Sequence, residues 1–273
     1  MSSIRLVACD MDGTFLTSER QPHPENIRAV QELVSTGVIF CLASGRGIST
    51  MRPLLDLLDL NGPIVSSNGA HVISPSGKIV FDSLLEQSVV HHIVEYAYKR
   101  NVHVNRYYGD TITFSQPGDL ADLYINRTGC TPEFLSLNQI KELPATKILF
   151  IGPHEEISLH ANHFTTHSGL NGTSIVRSEP DYLEFLPAGI TKGVGLQKLA
   201  EHLNLGPHEC AAIGDWHNDR EMLEWVGFPA SVSNAAPEIL AISKQVFSNN
   251  DQAGVSEFIR AVIKQNKMGI VSD

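Results

Sequence analysis

Cysteine is sparse and scattered in this 273-residue chain: the four, Cys9, Cys41, Cys130 and Cys210, share no short spacing. Three of them lie in apolar, strand-like runs where free thiols pack as small hydrophobes, so neither a disulfide framework nor a thiolate metal site is expected. Positive charge is also short. Only 20 Lys+Arg face 30 Asp+Glu, a formal charge of -10 with no basic face, which argues against nonspecific nucleic-acid or anionic-membrane binding. No run approaches the roughly 18 apolar residues of a membrane helix, and the opening MSSIRLVACDMDGT has no signal-peptide n- and h-region. A cytoplasmic protein is the expectation. The sequons at Asn126 and Asn171 are then bystanders, because glycosylation requires the secretory route.

What is present is ordinary for a packed enzyme: 42% hydrophobic residues, 18% charged and 21 glycines, which exclude a disordered or fibrous chain. The length suits one large domain or two modest ones, and the order of patterns decides between them. The segment IRLVACD is a short apolar run ending in acidic residues and glycine, as a buried strand does on entering a functional loop. NIRAVQELVSTG follows, with Ile27, Val30, Leu33 and Val34 at helical spacing and Gly37 as the stop. VIFCLAS and PIVSSNGA read as further buried strands separated by the amphipathic STMRPLLDLLDL. This repetition of strand, loop and helix predicts a doubly wound, Rossmann-like parallel sheet of the α/β class.

From Leu84 the rhythm changes. A helix over LLEQSVVHHIVEYAYKR precedes HVNRY and TITFS, which flank a turn at Tyr108, Gly109 and Asp110. A helix near DLADLYINRTG, a strand KILFIG, a helix EEISLHANHFTTHSG and the closing pair SIVRS and YLEFLP complete an α+β pattern. The first rhythm then returns in KGVGLQKLAEHL, CAAIGD, DREMLEWVG, PASVS and GVSEFIRAVIKQ. Residues 1–83 and 188–273 are therefore expected to form the core, and 84–187 an inserted α+β cap with short joints near Ser83 and Pro187.

Ligands of doubly wound sheets bind at the carboxyl ends of the strands. The residues there are Asp10, Met11, Asp12, Gly13 and Thr14; Ser44, Gly45 and Arg46; Ser67, Asn68 and Gly69; and Gly214 and Asp215, with Lys192 opening the helix after the insertion. A carboxylate can attack phosphorus to form an acyl phosphate that water later hydrolyses, and Asp10 is the candidate nucleophile. Asp12, two residues on and on the same side of an extended chain, is the candidate acid and base. Attack by one anion on another requires screening by a hard cation, and Mg2+ fits best. Asp10, Asp215 and the Asp12 backbone carbonyl would hold it, while Asp219 would orient the shell or pair with Lys192. Ser44 and the Gly45 amide would grip phosphate oxygens, Lys192 would neutralise developing charge, and Arg46 divides between phosphate steering and ion pairing.

DMDGT, the ASGR segment, a lone lysine before a helix, and GDWHND resemble, in order and placement, the four motifs of the haloacid dehalogenase superfamily of phosphatases. An insertion after the third strand, mixing strands and helices, resembles the larger C2-type cap of the Cof-like branch. The resemblance implies that Asp10 is the nucleophile, Asp12 the acid/base, Ser44 the phosphate hydroxyl, Lys192 the lysine and Asp215 the metal aspartate. It also implies phosphate contacts from the Met11 backbone and the Asn218 amide, and Asn68 and Gly69 join the expected substrate-binding set. One departure stands out: relatives commonly carry a small or amide residue after the aspartate of the fourth motif, where this chain has Trp216 and then His217.

The expected partner is a small phosphate ester, with sugar phosphates favoured, and with no nucleic acid or membrane partner; the chain is expected as a monomer or small homo-oligomer. A sugar phosphomutase or a noncatalytic sensor of phosphorylated metabolites fits the same residues. Cap residues Tyr107, Tyr108, Arg177 and Glu184 are candidates to meet the leaving group. His160, His163 and His167 fall near one helical face, a spacing that suits zinc, but no fourth ligand is apparent and a solvated face is the expectation, as it is for His91 and His92.

Overall fold

A computed structural model describes residues 3–60, 62–167, 170–177 and 179–270. The first part of the chain contributes β1 (Leu6–Cys9), α1 (Pro24–Ser35), β2 (Ile39–Ala43), α2 (Ile48–Leu57), β3 (Ile64–Ser66), β4 (His71–Ile73) and β5 (Ile79–Asp82). The middle adds α3 (Gln87–Arg100), β6 (His103–Tyr108), β7 (Thr111–Phe114), α4 (Asp119–Thr128), β8 (Glu133–Phe134), α5 (Leu137–Ile140), β9 (Lys147–Ile151), α6 (His154–His167), β10 (Thr173–Val176) and β11 (Tyr182–Pro187). Then come α7 (Lys192–His202), β12 (Cys210–Gly214), α8 (Arg220–Trp225), β13 (Phe228–Val232), α9 (Pro237–Ile242), β14 (Gln245–Phe247) and α10 (Gly254–Ile270). These elements divide into two compact units: residues up to Gly45, Pro53–Phe81 and from Thr191 onward make the first, and Arg46–Arg52 with Asp82–Ile190 the second.

The first unit is built on a sheet in the order β14-β13-β12-β1-β2-β3-β4-β5. Pairing is parallel from β14 through β3 and turns antiparallel between β3 and β4. The parallel core is thus as the periodicity predicts, and the β4–β5 extension is an addition to it. Side chains alternate across the sheet: Leu6, Ala8, Cys41, Ala43, Cys210 and Ala212 join one apolar cluster with Leu196 and Leu199 of α7 and Met222 and Leu223 of α8. Burial of Leu196 and Leu199 contributes about 1.5–3 kcal/mol each. All four cysteines are buried free thiols.

Helix α1 begins with Pro24 at its first turn and the His23 ring accepting from the Glu25 amide at 3.2 Å. Its buried face is Asn26, Ala29, Val30 and Leu33, a rotation from the expected stripe that leaves Val34 exposed. Asn26 causes the rotation: its amide donates to the Phe15 carbonyl at 3.1 Å and its oxygen accepts from the Ser256 amide at 3.0 Å.

The second unit holds a sheet in the order β10-β11-β9-β6-β7-β8, antiparallel except between β7 and β8. Val90, Ile93 and Val94 of α3 and Ile157 and Phe164 of α6 pack with Val104, Ile148, Phe150, Leu183 and Phe185 of the strands. His160 is buried there, with Tyr96 Oη 2.9 Å from its Nδ1, and the His163 ring stacks on Tyr96 at 4.5 Å. The expected solvated face is corrected at His160 by this aromatic packing; the His167 side chain lies outside the described residues. Of the cap candidates, Tyr107 is buried with its hydroxyl 2.5 Å from that of Tyr124. Glu184 is a buried partner of Lys147 at 3.0 Å, Arg177 is tied to Ser158 and the Pro180 carbonyl, and Tyr108 is exposed beneath the Arg106 guanidinium.

The end of β3 meets the start of α7 at Gly69, whose φ is +97° and whose added Cβ would lie 2.1 Å from the Thr191 carbonyl oxygen. Gly69→Ala is expected to lower the unfolding free energy by about 3 kcal/mol in urea titrations followed by circular dichroism, and a loss below about 0.5 kcal/mol would refute this crowding.

Candidate active site

The carboxyl ends of β1 and β12 and the first residue of α7 converge on one buried group of side chains. Asp10 follows β1 directly and is 4% exposed, Asp215 follows β12 at 8%, and Asp219 is fully buried. One carboxylate oxygen from each of the three lies within 4.8 Å of the others. Lys192, 1% exposed, places its Nζ 2.5 Å from Asp10 Oδ1 and 2.6 Å from Asp219 Oδ1. The other oxygen of Asp219 accepts from the backbone amides of Asp215 at 3.0 Å and Trp216 at 3.1 Å. Asp219 thereby ties the ammonium to the loop after β12.

Gly13 allows the first loop to reach Asp215. Its φ is +82°, and a Cβ there would lie 2.5 Å from Asp215 Oδ2. The next residue, Thr14, is fully buried and donates its hydroxyl to Asp215 Oδ1 at 2.7 Å. Thr14 stood among the strand-end residues in the sequence, but nothing in the DMDGT spacing assigned it this partner.

Asp12 is placed differently from its neighbours. The chain turns after Asp10, with the amides of Phe15 and Leu16 both donating to the Met11 carbonyl at 3.0 and 2.9 Å, and Asp12 is exposed while Met11 is buried. The expected extended chain is therefore a tight turn, and the side chain of Asp12 is outside the buried acidic trio. A second group of expected residues assembles beside the first. Ser44 is buried, its carbonyl accepts from the Asn68 amide at 3.0 Å, and the Asn68 side-chain oxygen accepts from Asn218 Nδ2 at 3.0 Å. Gly45 packs on Asn68, with an added Cβ only 3.1 Å from its Oδ1. Gly69 closes this group against α7. Arg46, half-buried, opens the short segment that groups with the second unit.

Electrostatics set this trio apart from a structural ion pair. Burial pushes the Asp10 carboxyl well above the ordinary range; Lys192 opposes the rise, and Asp219 and Asp215 add to it. Asp215 is raised to about 6, first by burial and then by the charge of Asp219, against the Thr14 hydrogen bond. Burial alone would depress Lys192, yet the Asp10 and Asp219 carboxylates outweigh it and hold the ammonium above its usual value. Three carboxylates and one ammonium leave two negative charges when all are ionised. An all-oxygen donor set with that excess fits a hard divalent cation.

Comparison with known proteins follows the same lines. The sequence model of the family described as haloacid dehalogenase-like hydrolase matches residues 7–259. An HMP-PP phosphatase of Yersinia pseudotuberculosis is 32% identical over 261 residues, spanning 93% of this chain and 94% of that protein. A haloacid dehalogenase-like hydrolase from Bacteroides thetaiotaomicron superposes with a TM-score of 0.88 at 26% identity, over 95% of this chain and all of that one. A sugar phosphatase of HAD subclass IIB, 19% identical, shares the fold with a TM-score of 0.81 over 94% of this chain and 98% of its own. Fold and relatives define the class, a hydrolase of phosphoric monoesters. The chain belongs to the haloacid dehalogenase-like hydrolases, in their Cof branch. Among its described residues no helix is long and apolar enough to cross a membrane.

The folded Asp215 carboxyl titrates at about 6 against an ordinary 3.8. Its contribution to stability is therefore fullest below the lower value and is lost as pH rises through the upper one. In chelator, Asp215→Asn is expected to melt above the unsubstituted chain near neutral pH and to lose that advantage at about pH 4. An equal advantage at both pH values in thermal melts would show that ionisation is not the source of the strain.

Proposed function

We propose that this phosphatase hydrolyses a small phosphomonoester, such as a sugar phosphate or another phosphorylated metabolite, with Mg2+ and through an aspartyl-phosphate intermediate on Asp10. The observation that carries this reading is the buried Lys192 ammonium bridging Asp10 and Asp219 beside Asp215. A purely structural bridge would require one carboxylate, not three, two of which burial and then the neighbouring carboxylates raise above the ordinary range.

Asp10, held by Lys192 at one oxygen, attacks phosphorus as the bond to the leaving oxygen breaks, and Asp12 delivers a proton to that oxygen from the solvent side. Asp12 then removes a proton from water as the water oxygen attacks the same phosphorus, which releases inorganic phosphate and regenerates the Asp10 carboxylate. Lys192 neutralises charge on the transferred group, and Ser44, the Met11 and Gly45 amides, Asn68, Gly69 and Asn218 are assigned to the phosphate oxygens. Arg46 is assigned to steering the anion. Mg2+ held by Asp10, the Asp12 carbonyl and Asp215, with Asp219 orienting its shell, would screen the two reacting anions from each other. Residues 84–187 are assigned the choice of leaving group, and an intracellular metabolite pool is the setting that matches the chain's composition.

The test is phosphate release from a panel of sugar, nucleotide and cofactor phosphates, with Mg2+ or chelator. Chelator and Asp10→Asn are each expected to abolish release, and Asp12→Asn to lower kcat by about 10²–10⁴-fold. Release that survives Asp10→Asn would sink the covalent route. Isomerisation of a sugar phosphate with retention of label from a bisphosphate would replace it with mutase chemistry.

A further inference from the structure

The turn between β13 and α9 bonds to the loops after both β1 and β12, although none of its residues belongs to the acidic trio. Asn234 Nδ2 donates to the Gly13 carbonyl at 2.8 Å, and two residues further on the Ala236 amide donates to the Asp215 carbonyl at 2.9 Å. Between those points the Thr14 hydroxyl donates to Asp215 Oδ1 at 2.7 Å. The bonds close a ring that runs from Asn234 through Gly13 and Thr14 to Asp215 and back through Ala236. Asp215 is held by this ring at its carboxylate and its carbonyl, and by Asp219 Oδ2 at its amide, 3.0 Å away.

Asparagine is common in turns because its side chain bonds to backbone close by, but the side-chain partners of Asn234 lie 221 residues before it and 16 after it. They are the Gly13 carbonyl and the Asn250 amide, which donates to Asn234 Oδ1 at 3.0 Å. A carbonyl only accepts and a backbone amide only donates, so a single orientation of a carboxamide satisfies both, whereas a carboxylate would leave Gly13 without a donor. Asn250 is itself 6% exposed and extends the strap, its Nδ2 donating to the Leu16 carbonyl at 3.0 Å. The bond to Gly13 has a specific use. Gly13 has a φ of +82°, and glycine reaches either sign of φ at similar cost. The plane of the Gly13–Thr14 peptide is therefore settled from outside, and that plane sets the direction of the Thr14 side chain.

Resting on the cation assignment in the proposed function, we infer that Asn234 is a positioning residue: through Gly13 and Thr14 it fixes the Asp215 carboxylate in the orientation that a divalent cation requires. Partners behind a metal ligand typically govern about 10–100-fold of metal affinity. A ligand already fixed has less freedom left to lose on binding.

The experiment measures Mg2+ binding by isothermal titration calorimetry, without substrate, in wild type, Asn234→Ala, Thr14→Val, the double variant and Asp251→Ala. Asp251 ties down the same loop at Ser18, whose amide and hydroxyl donate to it at 2.7 and 2.8 Å, but it stands outside the ring and controls for general loosening. Kd is expected to rise about tenfold in Asn234→Ala and about 10–100-fold in Thr14→Val, with the double variant within about twofold of Thr14→Val because both act through one path. Asp251→Ala is expected to stay within about twofold of wild type. An unchanged Kd in Asn234→Ala, additive losses in the double variant, or an equal loss in Asp251→Ala overturns the inference. Wild type that binds no Mg2+ overturns the cation assignment and the inference together. Because no ester is present, the phosphatase reading and this inference fail on different measurements.

Discussion

The first unit depends on one buried cation. Lys192 occupies the first position of α7, where the partial positive charge of a helix N-terminus already disfavours an ammonium, and it is almost wholly removed from water. Such a charge costs several kcal/mol unless it is closely paired. The pairing comes from Asp10 after β1 and Asp219 after β12, so the compensation that makes Lys192 tolerable also clamps the start of α7 to two central strands. Thr191 completes the arrangement by capping the helix, its hydroxyl accepting from the Val194 amide at 3.3 Å.

Around that clamp the remaining groups arrange themselves by necessity. Asp219 uses one oxygen for Lys192 and the other for two amides of the loop after β12, while burial raises the Asp10 and Asp215 carboxyls and the charge of Asp219 adds to the rise of both. Thr14 and the left-handed Gly13 bring the first loop against Asp215. The strain is the reverse of what a stability-driven core would choose, and sites that bind cations or move protons commonly retain it.

Much of this was legible before any coordinates. The apolar runs ending in DMDGT, ASGR and GDWHND announce strands with chemistry at their carboxyl ends, because burial and reactivity sit side by side in the pattern. The sequence offered Asp219 as a partner of Lys192, but the bridge from Lys192 to Asp10, which spans the whole insertion, had no such signal. Other features had no local signal. Asn26 buries a polar side chain because of acceptors and donors at Phe15 and Ser256, far away in sequence. The β4–β5 edge is three and four residues per strand, too short for periodicity to register. Asp12 was read from an extended chain, and the turn closed by the Met11 carbonyl gives it the exposed position instead.

The crowding of Gly69 against Thr191 has a topological meaning. Residues more than a hundred positions apart in sequence are held in backbone contact inside the first unit, so that unit experiences everything from β5 to α7 as a single closed loop. Loop closure grows only logarithmically with length, about 0.6 kcal/mol for each doubling. A core sealed at this point therefore tolerates insertions of very different size and architecture at nearly constant thermodynamic cost. The core and the inserted segment are free to diverge at different rates.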